Sequence, residues 1–493
     1  MFAAIYGTGA GFKEYNAAFR IPDILFTIVA GGALSSAFVP VFAGLLERRQ
    51  EEDAWRVANT ILNTLLAVMS AAAIVGFVGA PALSRILNPG FTSDQVTQTA
   101  NLTRIMLAQP VLLGVGGIFA AMQNSYRRFV LPALAPLVYN VSIILGAAIF
   151  GTRFGVYAAA WAVVIGALLM FEIQIWGVAS ESWRYRLGFD WKLGQARDVL
   201  RLMFPRMLGL ASFQLMLIVT FWLASSLSST RNTAITYAWT LVMFPVGAVG
   251  TALGMAVFPT ISRHAAVAQT QQVERIVREG LRAVMFLAVP ATAGLVMLRT
   301  PIIQLLFAHG AWTSGSTGAT TYALAFYAFC VPPLAAIEVC ARSFYALQNT
   351  RTPVVIAIAA AAVDAILCVT LFHLFGPLRA QGGLGLGTAL AVWLQIVLLL
   401  FALQRLLPGL IDTDFRKAAT AIFLATLVMS VCVFAARQIV GGIAPGGLTI
   451  RAFFECVLPV GVGAIVYAGL AYALRIPELD RVLGLAGRAL HRE

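Results

Sequence analysis

Apolar stretches long enough to cross a bilayer recur from one end of this chain to the other, and no polar stretch between them is long enough to fold as a domain. A hydrocarbon core about 30 Å thick takes roughly 20 apolar residues per helical span. Thirteen such stretches are legible, near 19–44, 54–79, 99–122, 130–150, 156–178, 202–226, 233–260, 281–298, 319–345, 354–375, 383–406, 417–438 and 452–473. Residues 1–11 read as the tail of one further helix. Hydrophobic residues make up 60% of the chain and charged residues 11%, so the expected class is an all-α polytopic membrane protein.

Charge placement orients it. Lys and Arg near span ends are retained on the cytoplasmic side, and alternate connections here are rich in them. Arg48, Arg49 and Arg56 lie in one, Arg127 and Arg128 in the next, then Arg184 to Arg206, Arg263 to Arg282, Arg351, Arg405 to Lys417, and the tail from Arg475. The opposite connections hold mostly single residues such as Arg85, Arg153, Arg231, Arg299 and Arg379. The C-terminus is therefore expected in the cytoplasm and the protein in the cytoplasmic membrane. The net charge of +13 reflects this topology and attraction to anionic membrane lipids. Nucleic-acid binding would want the basic residues on one folded surface.

Cys330, Cys340, Cys368, Cys432 and Cys456 are odd in number, lie in spans and have no C-x-x-C spacing, which excludes a disulfide framework or zinc site and leaves small packing residues. The N-terminus lacks the basic region and apolar run of a cleavable signal peptide. His264, His309, His373 and His491 have no metal-ligand spacing and no nucleotide motif is present. The connections are too short for a catalytic domain, so no enzyme, metal or cofactor is expected.

A repeat organises the chain. Ala30-Gly-Gly-Ala-Leu-Ser-Ser-Ala-Phe-Val-Pro40 returns as Val249-Gly-Thr-Ala-Leu-Gly-Met-Ala-Val-Phe-Pro259, and Phe119-Ala-Ala-Met-Gln-Asn124 as Phe344-Tyr-Ala-Leu-Gln-Asn349. Both copies run through the same order of spans, which implies two parallel six-helix lobes around a central cavity, with two further helices at the C-terminal end. That is an architecture of secondary transporters. The expected division is a first lobe over 1–178, a cytoplasmic linker over 179–200, a second lobe over 201–408, the extra helix pair over 409–475 and a tail over 476–493. Trp183, Tyr185, Trp191 and several arginines suit the linker to a short helix at headgroup level. It is either a hinge between rocking lobes or an anchored loop.

Gly31 and Gly32 on one helix, and Gly250 on its counterpart, permit close helix approach. Pro245 and Pro259 remove backbone bonds within a span and bend it. Packing alone accounts for the glycines individually; a bent helix suits gating.

Ala18-Phe-Arg-Ile-Pro-Asp-Ile-Leu25 followed by Gly32-Ala-Leu-Ser-Ser-Ala-Phe-Val-Pro40 resembles the second transmembrane helix of the MurJ (MviN) family of lipid II flippases, in the multidrug, oligosaccharidyl-lipid and polysaccharide exporter superfamily. Asn88-Pro-Gly-Phe91, Met122-Gln-Asn124, Ala135-Pro136 with Asn140, Phe244-Pro245 and Arg351-Thr-Pro353 extend the resemblance over nearly the whole chain. It implies movement of an undecaprenyl-pyrophosphate-linked peptidoglycan precursor across the cytoplasmic membrane by alternating access. It also implies membrane lipids, a lipid-linked oligosaccharide and cell-wall synthesis proteins as partners. The chain departs from the family where it carries Phe26, Thr27 and Thr240 in place of cavity arginines and Lys13 near an expected acidic residue. A non-transporting scaffold, or an exporter of another lipid-linked sugar, are the alternatives.

A diphosphate cargo needs fixed cations in the cavity, arginine above all. Ionisable residues within spans are costly and face the interior by default. Arg20, Arg104, Asn140 and Glu172 are candidates in the first lobe. Glu338 and Arg342, spaced i,i+4, are candidates in the second and favour a mutual pair. The resemblance marks Asp364 and Thr388 as a place for a coupling cation, sodium or a proton.

Overall fold

The computed structural model describes residues 1–29, 33–179, 185–443 and 447–479. Their regular elements are all helical, and the chain divides into two compact units, Met1–Ser229 and Thr230–Glu493. The first unit contains α1 (Phe2–Tyr6), α2 (Ala10–Val29), α3 (Ala33–Glu47), α4 (Glu51–Leu87), α5 (Ser93–Met106), α6 (Ala108–Ser125), α7 (Val130–Phe154), α8 (Val156–Ala179) and α9 (Gly194–Ala224). The second begins in α10 (Ser229–Pro245) and continues through a π-helical turn (Val246–Thr251) into α11 (Ala252–Ala266). It goes on with α12 (Thr270–Met297), α13 (Arg299–Phe307), α14 (Ser314–Tyr327), α15 (Val331–Ala346), α16 (Arg351–Leu406), α17 (Thr413–Ile443) and α18 (Leu448–Ala473).

Among the described residues, ten helical segments are long and apolar enough to cross a membrane. The 56-residue α16 accounts for two expected spans, because Gly376 breaks it with φ 68° and ψ 171° ahead of Pro377. Expected spans 19–44 and 202–226 appear with shorter apolar runs, Phe38–Glu47 and Leu210–Ala224. The two arms of α16 fold back on each other through glycines. A Cβ at Gly383 would lie 2.5 Å from the Leu371 carbonyl oxygen, and one at Gly387 3.0 Å from the Cys368 nitrogen. Small residues of this kind let backbones approach where lipid offers no hydrophobic drive to association.

The repeat is visible in how helices end. Arg49 and Ala268, equally spaced from Pro40 and Pro259, both adopt left-handed φ (57° and 54°). Each is followed by the same helix-closing bond, Gln50 N–H to Leu45 O and Gln269 N–H to His264 O, both 3.0 Å. At the second landmark the copies differ. The left-handed residue is Arg127 in the first and Gln348 in the second. The Gln-Asn match thus falls one helical turn before the cap in the first copy and on the cap in the second. A four-residue offset keeps a residue near the same helix face, which lets the pattern survive the shift.

Two segments differ from expectation. The sequence groups 201–408 together, whereas α9 packs on α2, α3 and α4 within the first compact unit. The described part of the linker, from Tyr185, has no regular secondary structure until α9 starts at Gly194. Asn63 of α4 explains this by taking up its backbone, donating to Arg186 O (3.0 Å) and Gly188 O (2.9 Å) while accepting from the Tyr185 hydroxyl (2.9 Å). Arg56 pairs with Asp190 beside it. Trp183 lies outside the described residues.

The C-terminal helices pack on each other and on α12 and α13. Their shared core holds Phe286, Leu298, Ile422, Met429 and Tyr467. The Tyr467 hydroxyl donates to Phe286 O at 2.8 Å, and Arg282 pairs with the buried Glu478 at 2.7 Å.

Candidate functional site

In the first unit, α2 carries polar residues at Lys13, Asn16, Arg20, Asp23 and Thr27. Spacings of three and four put them on one face. That face meets α9 and the loop after α4. Lys13 is buried, and its ammonium donates to Ser225 O (2.9 Å) and Leu227 O (3.0 Å) at the C-terminal end of α9, where a cation is favoured. It also lies 4.6 Å from the centre of the Phe91 ring. Further along, the Arg20 guanidinium stacks 3.8 Å from the centre of Phe221 and donates through Nη1 to Asn88 Oδ1 (3.3 Å). Asp23 lies against Gln214 of α9.

The loop Asn88-Pro-Gly-Phe91 is built for this seam. Asn88 is fixed by its own bond to Ser84 O (3.0 Å). Gly90 donates its N–H to Ser225 Oγ at 3.0 Å, and a Cβ there would fall 2.4 Å from Ser226 Cα, so only glycine allows the approach. Arg20 Nη2 is buried and has no hydrogen-bond partner among the described residues. A guanidinium held on one side, with a donor unused on the other, suits recognition of an oxyanion.

The other sequence candidates in this unit do not join the seam's contacts. Arg104 donates to Phe77 O (3.1 Å) and Asn101 Oδ1 (3.4 Å) and lies over the Phe77 ring. Asn140 is exposed and bonds back to Pro136 O (2.8 Å). Glu172 is exposed on α8. Gly31 and Gly32 lie outside the described residues. Sequence reasoning missed Lys13, Asn16 and Asp23, although their spacing with Arg20 was available.

In the second unit, Glu338 and Arg342 form an ion pair of 2.7 Å on α15. Pro245 ends α10, and the six-residue π-helical turn that follows carries Gly250. A Cβ at Gly250 would lie 2.6 Å from Ala335 Cα, so α15 packs directly on that turn. Pro259 lies inside α11. Asp364 and Thr388 do come together: Cys368 Sγ is 3.5 Å from Asp364 Oδ1 and 3.7 Å from Thr388 Oγ1, all buried. Asp364 Oδ2 has no hydrogen-bond partner among the described residues. No group of three or more His, Cys, Asp or Glu suited to a metal occurs among them.

The described residues form an all-helical polytopic membrane protein with ionisable side chains inside its spans. A multidrug MATE-family transporter of the MOP superfamily, solved in an inward-facing conformation, aligns over 84% of this chain and 96% of its own, with TM-score 0.69 and 15% identity. A solved lipid II flippase MurJ in an inward closed conformation aligns over 96% and 95%, with TM-score 0.80 and 22% identity. A family profile described as "Lipid II flippase MurJ" matches residues 2–453. The lipid II flippase MurJ of Burkholderia cenocepacia is 30% identical over 416 residues, 82% of this chain and 79% of the relative. A probable lipid II flippase MurJ of Bdellovibrio bacteriovorus is 28% identical over 478 residues, 95% and 89%. The chain belongs to the MurJ family.

Proposed function

We propose that this protein moves lipid II, the lipid-linked peptidoglycan precursor, from the cytoplasmic to the outer leaflet by alternating access. The observation that carries the residue-level reading is Arg20, a membrane-embedded guanidinium clamped by Phe221 and Asn88 with one donor unused. The family's cavity arginines are replaced here by Phe26, Thr27 and Thr240, so Arg20, with Lys13 on the same face of α2, supplies the positive charge for the pyrophosphate. Membrane lipid accommodates the polyprenyl tail. Asn140, Glu172 and Arg104 have no part in phosphate binding in this reading.

The C-terminus and the arginine-rich connections are cytoplasmic, and cell-wall synthesis proteins are the partners that use the delivered precursor. Coupling belongs to Asp364. Its carboxylate and the Thr388 hydroxyl, with a thiol between them, are too few oxygen donors for a hard cation. The residues fit a proton better than sodium.

The test is replacement of the resident flippase in a depletion strain, together with lipid II binding to the purified chain by native mass spectrometry. Growth and binding that both require Arg20 support the reading. Failure of the intact, membrane-inserted chain in both sinks it and favours a scaffold role.

A further inference from the structure

A pocket of about 560 Å³ opens in the second unit where α13 meets the start of α14. Its wall includes Arg299, Gln304, Trp312, Thr317, Thr321 and Tyr322. By sequence it lies in the connection between spans 281–298 and 319–345, on the arginine-poor side expected to face outward.

The wall is rigid on its aromatic side. Trp312 is 9% exposed, packed 5.0 Å from Tyr237 and 5.5 Å from Phe307 between ring centres, and its indole N–H donates to Thr317 Oγ1 at 2.9 Å. A capping box between Thr313 and Ser316 fixes the start of α14. The polar side has unused capacity. Arg299 donates through Nη1 to Val296 O (2.7 Å) and has no carboxylate partner among the described residues. Thr321 Oγ1 is buried without a hydrogen-bond partner among them. At Gly318, also on the wall, a Cβ would meet nothing within 4 Å, so the space there is open.

This chemistry selects a ligand class. A lipid-tail groove is predominantly apolar, as the one between α7 and α8 is, lined by Val141, Leu145, Ile149 and Trp161 with Ser142 and Tyr157. Here one guanidinium, an amide and several hydroxyls stand beside two aromatic rings. A bare inorganic anion would use Arg299 and leave the aromatic wall idle. A sugar ring offers an apolar face to an indole or phenol and hydroxyls to Gln304 and the threonines, while a negative group on it pairs with Arg299.

We propose that this pocket binds an anionic saccharide, separately from the α2 seam. Its source is the headgroup of the transported lipid-linked saccharide after it reaches the outer side, or a soluble sugar phosphate of the same chemistry. The first source rests on the proposed transport function; the site itself does not.

The test uses the full chain in phosphatidylcholine nanodiscs, with glucose phosphate as probe and saturation-transfer-difference NMR as readout. Ring-proton signals are expected. They should weaken about tenfold in Gly318→Leu, which fills the space, and in Arg299→Gln, which removes the cation. Leucine is a better helix former than glycine, so Gly318→Leu keeps α14 folded, and thermal unfolding of both variants checks this. Arg20→Gln should leave the signals unchanged while abolishing translocation, which separates this site from the transport reading. Displacement of the probe by lipid II, with none by phosphatidylglycerol, assigns the lipid-linked source; displacement by neither assigns the soluble one. No signal in the wild type, equal signal in Gly318→Leu, or equal competition by inorganic phosphate or phosphatidylglycerol overturns the proposal.

Discussion

The Cβ that any other residue would carry at position 254 falls 2.1 Å from Arg342 Nη1, so Gly254 is the bare surface of α11 on which that guanidinium lies. The Glu338–Arg342 pair on α15 therefore depends on a residue of a different helix, one that belongs to the repeated segment. Gly250, one turn earlier, meets the backbone of Ala335 instead.

The two glycines should consequently differ in tolerance. At Gly254 the obstructing atom is the end of a flexible side chain, which can swing aside at the loss of one half-exposed ion pair, about 0–1 kcal/mol. At Gly250 the obstruction is main chain, and overpacking of that kind costs about 1–3 kcal/mol. Gly250→Ala is expected to lower the thermal unfolding temperature of the purified protein more than Gly254→Ala. In an Arg342→Ala background, where the pair is already gone and the obstructing atom is absent, Gly254→Ala should add little further loss. Equal losses at both positions would contradict the packing described.

Gln123 and Gln174 share a buried hydrogen bond of 2.6 Å between α6 and α8, and a Cβ at Gly177 would sit 2.2 Å from Gln123 Oε1. Interhelical hydrogen bonds in lipid contribute about 0.6 kcal/mol on average, yet an orphaned buried amide costs about 1–3 kcal/mol. Gln123 Nε2 also donates to the backbone carbonyl of Gln174 (3.2 Å), so it is Gln123→Leu alone, which strips the Gln174 side chain of its partner, that should destabilise more than the double change Gln123→Leu with Gln174→Leu. A double-mutant cycle read by thermal unfolding checks the sign of the coupling; strict additivity would refute it.

Gly376 is the hinge of the α16 hairpin because its φ of 68° is strained for a residue with a Cβ. Gly376→Ala should destabilise by about 1–3 kcal/mol, because this φ/ψ combination is essentially restricted to glycine. Gly461, inside α18 with open space at its Cβ, is the control. Gly461→Ala should be neutral or stabilising, by up to about 1 kcal/mol.

These relationships mark the limit of what the sequence discloses. The helical class was legible because apolar length is a strong signal, and Gly376-Pro377 fell where two spans were expected to separate. The α2 seam was half legible. Arg20 stood out as an intramembrane charge, but Lys13 and Asn16 lower local hydropathy enough to make the span seem to begin at residue 19, whereas α2 begins at Ala10. With the helix started late, the polar face from Lys13 to Thr27 was not seen as one stripe. The roles of Gly90 and Gly254 depend on atoms of other helices, and no local pattern distinguishes them from glycines that face open space. The pocket around Trp312 was hidden because α13 is too short to register as a span.

Topology can be checked independently. Phe129 is exposed in the connection holding Arg127 and Arg128. A Phe129→Cys protein with its native cysteines changed to alanine should resist an impermeant maleimide added to intact cells and react once they are lysed. Labelling from outside would invert the orientation and place the α13 pocket in the cytoplasm.

Arg20 gives the most direct test of the transport reading. At an effective dielectric near 20, a charge pair about 4 Å apart contributes about 4 kcal/mol before desolvation. Losing the cation should weaken lipid II binding by more than about tenfold. Arg20→Gln is therefore expected to abolish growth support in a flippase-depletion strain and to lower binding in native mass spectrometry. Arg20→Lys keeps the charge but not the planar fork that stacks on Phe221 and reaches Asn88, so partial function is expected from it. Asn88→Ala should give a milder loss by freeing the guanidinium without removing it. If Arg20→Gln instead inserts normally and supports growth like the unmodified chain, the pyrophosphate is held elsewhere, and the unused Nη2 donor has no part in transport.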